Sequence, residues 1–213
     1  MKYKCIIFDC DGVLVDSEEI SNRVLIEMMD AIGVKMEMEY AMENFTGKSL
    51  NSILKYLEGQ INRELPSHFE KEFRERTFKR FKTDLKPIKG IHTLLDKIKV
   101  PYCVASSGPT EKIKLNLTTT GLIGKFENKI FSSYEIGSWK PSPGIFEYAA
   151  REMGFKPSEC AVVEDSIYGV IAAKRGGFDV FGFANGNNKS ELENEGAIVF
   201  FEMEKLIDFL FVD

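Results

Sequence analysis

The chain has 213 residues, enough for one large domain or two modest ones around an ample core. At 44% hydrophobic and 29% charged it has the composition of a soluble globular protein, not of a disordered or collagen-like chain. A net charge of −5, with no apolar run near the roughly 18 residues that span a bilayer, excludes nucleic acid and membrane as expected partners.

The first element predicted is a strand over 3–8, apolar enough to be buried on both faces. It runs straight into Asp9-Cys10-Asp11-Gly12-Val13-Leu14-Val15-Asp16. Two carboxylates at the carboxyl end of a strand stand where open parallel α/β sheets bind their ligands. From Ser17 to Thr83 the periodicity turns helical. Ile20, Val24, Met28 and Ile32 form one stripe that Gly33 ends; Leu50, Ile53, Leu54 and Leu57 form a second. Phe69, Phe73, Thr77 and Phe81, with Phe78 alongside, form a third. Three or four short helices with such faces make a small bundle. The stretch 69–82 also carries six basic residues, but its four phenylalanines fit helical spacing, so a core stripe with a solvated basic back is expected.

From Gly90 onward strands alternate with helices. Strands are expected at 102–105, 129–131, 160–163, 179–183 and 197–201, and helices at 90–99, 109–120, 143–153, 167–175 and 190–195. Ser190 and Glu193 suggest a capping box, and Gly176-Gly177 ends the helix before it. The fold class is therefore α/β: a Rossmann-like parallel sheet core, residues 1–16 and 84–213, with an inserted α-helical cap domain over 17–83. The four cysteines lack Cys-x-x-Cys spacing and sit in or beside strands, so reduced buried thiols in a cytoplasmic protein are expected. The strand starting at Tyr3 leaves no signal pattern, and a monomer is expected.

Four signals fall at or just beyond strand ends: Asp9 with Asp11, Ser106-Ser107-Gly108, Lys140 before Pro141, and Glu164-Asp165. In a parallel sheet these ends share one edge. Covalent cleavage of a phosphate ester needs an oxygen nucleophile, and the rigidly held Asp9 is the candidate. Asp11, two residues on, is placed to protonate the leaving alkoxide and then to activate water. A phosphate dianion would be repelled by Asp9, Asp11, Glu164 and Asp165 together, so a cation is required. An all-oxygen donor set suits Mg²⁺. Ser106, with the amides of Ser107 and Gly108, would hold a phosphoryl oxygen, and Lys140 would face the spreading charge of the transition state.

With these motifs intact and in order, the sequence resembles the haloacid dehalogenase-like hydrolases, in the branch with a helical cap after the first strand. The resemblance spans essentially the whole chain. It implies Mg²⁺ held by the Asp9 side chain, the Asp11 backbone carbonyl and the acidic pair Glu164 and Asp165. It also implies a cap hinged near Asp16 and Ser17 and near 83–87. Members that cleave carbon–halogen or carbon–phosphorus bonds typically lack an acid two residues after the nucleophile, so Asp11 points to a phosphate monoester of a small metabolite.

The similar β-phosphoglucomutases carry a basic clamp after the cap glycine and a histidine early in the cap. Here the loop reads Phe45-Thr46-Gly47-Lys48-Ser49-Leu50, with Leu50 at the clamp position and Ser21 at that of the histidine. Hydrolysis is therefore favoured, with a sugar phosphomutase as the alternative and a non-catalytic binding protein on the same fold as the second. The stretch 131–141, Ser106-Ser107-Gly108-Pro109 and Arg23 resemble bacterial 6-phosphogluconate phosphatases. Arg23 and Lys48 are then the candidates to read the acidic or hydroxylated end of the substrate.

Overall fold

The computed structural model describes residues 2–46, 48, 50–184 and 188–210. In chain order the elements are β1 (Cys5–Phe8), β2 (Val15–Asp16), α1 (Glu18–Ala31), α2 (Met38–Phe45), α3 (Leu50–Ile61), α4 (Phe69–Asp84), β3 (Lys86–Pro87), α5 (Ile91–Lys97), β4 (Tyr102–Ser106) and α6 (Thr110–Thr119). There follow β5 (Ile130–Ser132), α7 (Ser133–Ile136), α8 (Gly144–Glu152), β6 (Cys160–Glu164), α9 (Ile167–Arg175), β7 (Asp179–Phe183), α10 (Lys189–Asn194), β8 (Ile198–Phe200) and α11 (Leu206–Leu210).

Six strands form one parallel sheet in the order β5-β4-β1-β6-β7-β8. All four residues of β1 are buried, as its unbroken apolar run requires of a central parallel strand. Because side chains alternate across a strand, β1 feeds two apolar layers. Ile6 and Phe8 pack with Leu94, Leu117 and Phe126 on one face, while Cys5 and Ile7 pack with Phe146, Ala149 and Val170 on the other. The four cysteines are free and buried, with Cys10 packed beneath the site. Among the described residues no helix is long and apolar enough to cross a membrane.

The helices α1–α4 lie between β2 and β3, which pair antiparallel, Val15 with Pro87 and Asp16 with Lys86. The chain thus leaves the sheet layer and returns to it along one short ladder. Val24, Leu25, Met29, Phe45, Leu57 and Phe69 form an apolar centre of their own among these helices. Gly33 ends α1 in the left-handed region (φ 83°), where its amide reaches the Asp30 carbonyl and that of Val34 reaches Met29.

Two of the expected stripes divide differently. Phe81 and Ile20 pack into the core against the sheet rather than into the bundle. The 16 residues of α4 extend ~24 Å, and its last turns, with Phe81, pack into the core against the sheet. Its basic residues face outward in exposed pairs, Arg74 with Glu70, Arg76 with Glu72 and Arg80 with Glu27.

The capping box expected at Ser190 and Glu193 does not form. Asn188 occupies the N-cap position of α10, which puts Ser190 inside the first turn, and Glu193 pairs instead with Lys189 at 3.6 Å. The one-turn helix α7 was not foreseen within the stretch 131–141. The Ser132 hydroxyl accepts from the Tyr134 amide at its start and Gly137 closes it at φ 63°.

Candidate active site

Strand order reverses between β1 and β6, so the connections leaving β1 and β6 at their carboxyl ends diverge and open a crevice there. Asp9 follows β1 directly, and its amide extends the ladder to the Val163 carbonyl at 3.0 Å. Ser106 ends β4 and Glu164 ends β6, in register with the residues around Phe8. Lys140 enters from the connection between α7 and α8. Residues 131 and 155 positions apart are thereby brought to one point.

Lys140 Nζ donates to Asp9 Oδ1 and to Glu164 Oε1, each at 2.5 Å, and all three side chains are nearly or wholly buried. Glu164 Oε2 accepts from the amides of Asp165 and Ser166 and from the Ser166 hydroxyl, at the N-terminus of α9. Carboxylate oxygens of Asp9, Glu164 and Asp165 lie within 4.8 Å of one another. Burial pushes the Asp9 carboxyl up to about 7, with Lys140 opposing and Glu164 and Asp11 adding to the rise. Burial, then Glu164 and Asp9, hold the Asp165 carboxyl well above the ordinary range. Burial works against the charge of Lys140, but Asp9 and Glu164 outweigh it and keep the ammonium protonated.

Three buried carboxylates thus gather around one lysine, their oxygens close enough to share an ion. A hard divalent cation with oxygen ligands fits such a donor set, and Mg²⁺ is the ion ordinarily held by one or two carboxylates with room left for water and phosphate. Gly12 makes the approach possible: at φ 78° a Cβ there would overlap the Asp165 carboxylate. The Asp11 carboxyl is no part of this group. Expected to be free for proton transfer, it meets three donors here. Asp11 Oδ2 accepts from Lys112 Nζ at 2.6 Å, and Oδ1 accepts from Ser17 Oγ at 2.7 Å and Asn116 Nδ2 at 3.2 Å. Burial alone would raise this carboxyl, but the Lys112 charge and hydrogen bond hold it below its usual range.

Over these groups lies a cavity of about 570 Å³ between the sheet edge and α1–α4. Ser106, Ser107, Gly108 and Lys48 line it together with Asp9, Asp11, Lys140 and Asp165. The Ser106 hydroxyl accepts from the Gly108 amide at 3.1 Å, which leaves its own proton to donate. Gly47 and Ser49, on either side of Lys48, lie outside the described residues. Arg23 does not reach the cavity. It sits on the solvent face of α1 and pairs with Glu19 one turn back at 2.5 Å, which corrects its expected role in reading substrate.

Lys112, Asn116, Arg74 and Thr77 were missed. Lys112 and Asn116 stand four apart on α6, hence on one face, and that spacing was the available signal. Nothing in the sequence turns that face toward Asp11, which is 101 residues away. Arg74 and Thr77 line the cavity from α4, the helix whose periodicity reads simply as core.

The model of a haloacid dehalogenase-like hydrolase matches residues 3–177. The 6-phosphogluconate phosphatase of Escherichia coli (strain K12) is 32% identical over 190 residues, covering 88% of this chain and 86% of that protein. Hexitol phosphatase B of the same organism is 26% identical over 178 residues, 79% of this chain and 78% of the other. Among solved structures, a conserved haloacid dehalogenase-like protein of unknown function from Agrobacterium tumefaciens str. C58 superimposes with a TM-score of 0.90 at 30% identity, covering 98% and 97% of the two chains. A family hydrolase from Deinococcus radiodurans R1, solved with bound phosphate and sodium, gives 0.83 at 27% identity over 98% and 95%. A parallel sheet, a carboxylate cluster at its switch point and matches along nearly the whole length lead to one assignment: the chain belongs to the haloacid dehalogenase-like hydrolase family.

Proposed function

We propose that the protein is an Mg²⁺-dependent phosphatase acting on a small phosphorylated metabolite, a sugar phosphate or sugar-acid phosphate such as 6-phosphogluconate. The observation that carries this reading is the Asp9 carboxylate beside Lys140, Glu164 and Asp165 under a cavity large enough for a short-chain phosphate. In this reading 17–83 is a cap over a core of 1–16 and 84–213, hinged at the β2–β3 ladder, and the enzyme works as a cytoplasmic monomer.

Asp9 attacks phosphorus in line, the bond to the leaving oxygen breaks, and an aspartyl-phosphate forms on Asp9. The Asp9 and Asp165 side chains, the Asp11 carbonyl and Glu164 would hold Mg²⁺, which when bound would neutralise charge at the phosphoryl oxygens. Lys140 keeps Asp9 aligned and presents its positive charge to the same oxygens. The Ser106 hydroxyl and the Ser107 amide donate to a phosphoryl oxygen from the opposite strand end, and the Gly108 amide, bonded to Ser106 Oγ, orients that hydroxyl. Asp11 handles the proton. Its Lys112 pair suits the second half-reaction, where a carboxylate takes a proton from attacking water. For the first half Asp11 must pick up a proton and exchange Lys112 for the leaving oxygen.

Leu50 and Ser21 both line the cavity, so the positions where a mutase would carry a basic clamp and a histidine offer neither. The test is phosphate release from p-nitrophenyl phosphate and from 6-phosphogluconate, with Mg²⁺ and with EDTA. Turnover requires Mg²⁺ and is abolished in Asp9→Asn. Full turnover by that variant would remove Asp9 as the nucleophile.

A further inference from the structure

Thr77 is an anomaly within its own helix. It is 5% exposed, lines the cavity, and its hydroxyl has no hydrogen-bond partner among the described residues. Helical threonines ordinarily return their proton to a carbonyl one turn back. Two others here do so: Thr118 to Lys114 at 2.7 Å and Thr120, at the C-cap of α6, to Asn116 at 2.8 Å. An orphaned buried hydroxyl costs on the order of 1–3 kcal/mol, where a valine of the same shape would cost nothing. Across the cavity wall Asn22 of α1, 3% exposed, donates its amide to the Met42 sulfur at 3.2 Å, a weak acceptor. Two buried polar groups with little or nothing to bond therefore face the same space.

Their positions supply a ruler. Phe81, near the C-terminal end of α4, has its ring 5.6 Å from Lys112 Nζ, and Lys112 holds Asp11. Going back along α4, Thr77 lies ~6 Å and Arg74 ~10 Å from Phe81 along the axis. Arg74 and Thr77 stand three apart, on one face. An extended carbon chain advances ~1.2 Å per bond, so the seven bonds from phosphorus to the far carbon of a six-carbon phosphate cover ~8 Å. That length is comparable with the ~10 Å of α4 between Phe81 and Arg74, and Asp9, Phe81, Thr77 and Arg74 all line the one cavity.

We propose that Thr77 and Asn22 form a hydroxyl-binding subsite, with Arg74 at its outer rim exchanging its exposed Glu70 partner for an anionic group of the substrate, and that they select open-chain polyhydroxylated phosphates of about six carbons. This rests on the phosphatase reading and specifies its substrate class. A site built to bond a hydroxyl discriminates strongly against ligands that lack it, because its own polar groups are then left unpaired.

The experiment compares wild type with Thr77→Val and Arg74→Gln on 6-phosphogluconate, a hexitol phosphate and p-nitrophenyl phosphate. For Thr77→Val the ratio of kcat/KM on the two polyol substrates to that on the aryl phosphate falls about tenfold, the loss of one hydrogen bond to substrate. The loss is carried by KM, and the urea midpoint of the variant rises. For Arg74→Gln the ratio falls for 6-phosphogluconate but not for the uncharged hexitol end. An unchanged ratio in Thr77→Val, or a fall accompanied by a lower urea midpoint, overturns the subsite. If wild type hydrolyses only the aryl ester, the subsite is overturned while the phosphatase reading stands. If it hydrolyses nothing, the phosphatase reading fails, and calorimetric titration with 6-phosphogluconate decides the subsite alone: weaker binding by Thr77→Val keeps it, equal binding removes it.

Discussion

Replacing Lys140 with methionine probes the charge balance of the site more directly than any other change. The lysine bridges Asp9 and Glu164 at 2.5 Å each, with side-chain exposures of 7%, 10% and 0% for the three. Its ammonium also lies 4.9 Å from the Phe146 ring centroid, so methionine fills the same space against the same apolar wall. What is lost is charge. Breaking a buried pair from one side costs about 3–5 kcal/mol, most of it the desolvation of the partners left behind.

The pH sign is definite. The folded Asp9 carboxyl, at about 7, lies above its unfolded value of 3.8. Such a group favours the folded state below the unfolded pKa, and that contribution is lost as pH rises through the folded one. Removing the lysine raises the folded value further, so Lys140→Met is penalised most above pH 7 and least near pH 5, where the carboxyl takes up a proton. With a urea m-value near 2 kcal/mol/M, the loss lowers the midpoint by about 1.5–2.5 M. Urea titration by circular dichroism in EDTA at pH 8 and pH 5 reads both quantities. A drop below about 0.5 M at pH 8, or equal drops at the two pH values, would refute the claim that Lys140 offsets the buried carboxylates.

The remaining expectations follow from the same geometry. Mg²⁺ at a hundred times its Kd stabilises the native protein by about 2.7 kcal/mol, which raises Tm by about 5–11 °C in a chain of this size; a flat melting curve across a Mg²⁺ titration would deny the site a metal. Asp11→Asn slows release of an alkyl phosphate by about 10²–10⁴-fold and of p-nitrophenyl phosphate by less, since the aryl leaving group needs no proton. Equal losses on both esters, measured as kcat/KM, which reads only the first half-reaction, would take the acid role from Asp11. Arg23→Ala leaves the KM for 6-phosphogluconate unchanged and costs about 0.3–0.5 kcal/mol of stability, the worth of an exposed pair one helical turn apart; a raised KM would restore it to the substrate site.

What could be read in the sequence and what could not divide along a physical line. Strand ends were legible because a buried parallel strand is a continuous apolar run, and its first polar residue marks the sheet edge. Asp9, Ser106 and Glu164 were therefore brought to one edge by topology, Lys140 beyond the third strand joined them through its motif, and the structure adds the 2.5 Å contacts of Lys140 with Asp9 and Glu164. The helices were legible as periods, but a period fixes only a face and not what the face meets. That is why Phe81 was assigned to the bundle and packs on the sheet, and why Arg23 was turned toward substrate and points to solvent. The same gap hid Lys112 and Asn116, whose face on α6 meets Asp11 across more than 100 positions of chain.

Thr77 was hidden for a further reason. At helical spacing among phenylalanines it reads as a small, tolerated member of an apolar stripe, and its burial agrees with that reading. Only the missing hydrogen bond separates it from a packing residue, and an unmade bond leaves no trace in sequence. The groups proposed to react sit at strand ends, Lys140 on the α7–α8 connection excepted, where position along the chain and position in space are tied by the sheet. Groups that choose the substrate sit on helices packed across the cavity, where that tie is absent. The reaction is accordingly written in local motifs, while the identity of the molecule that reacts depends on contacts that form only when the two layers meet.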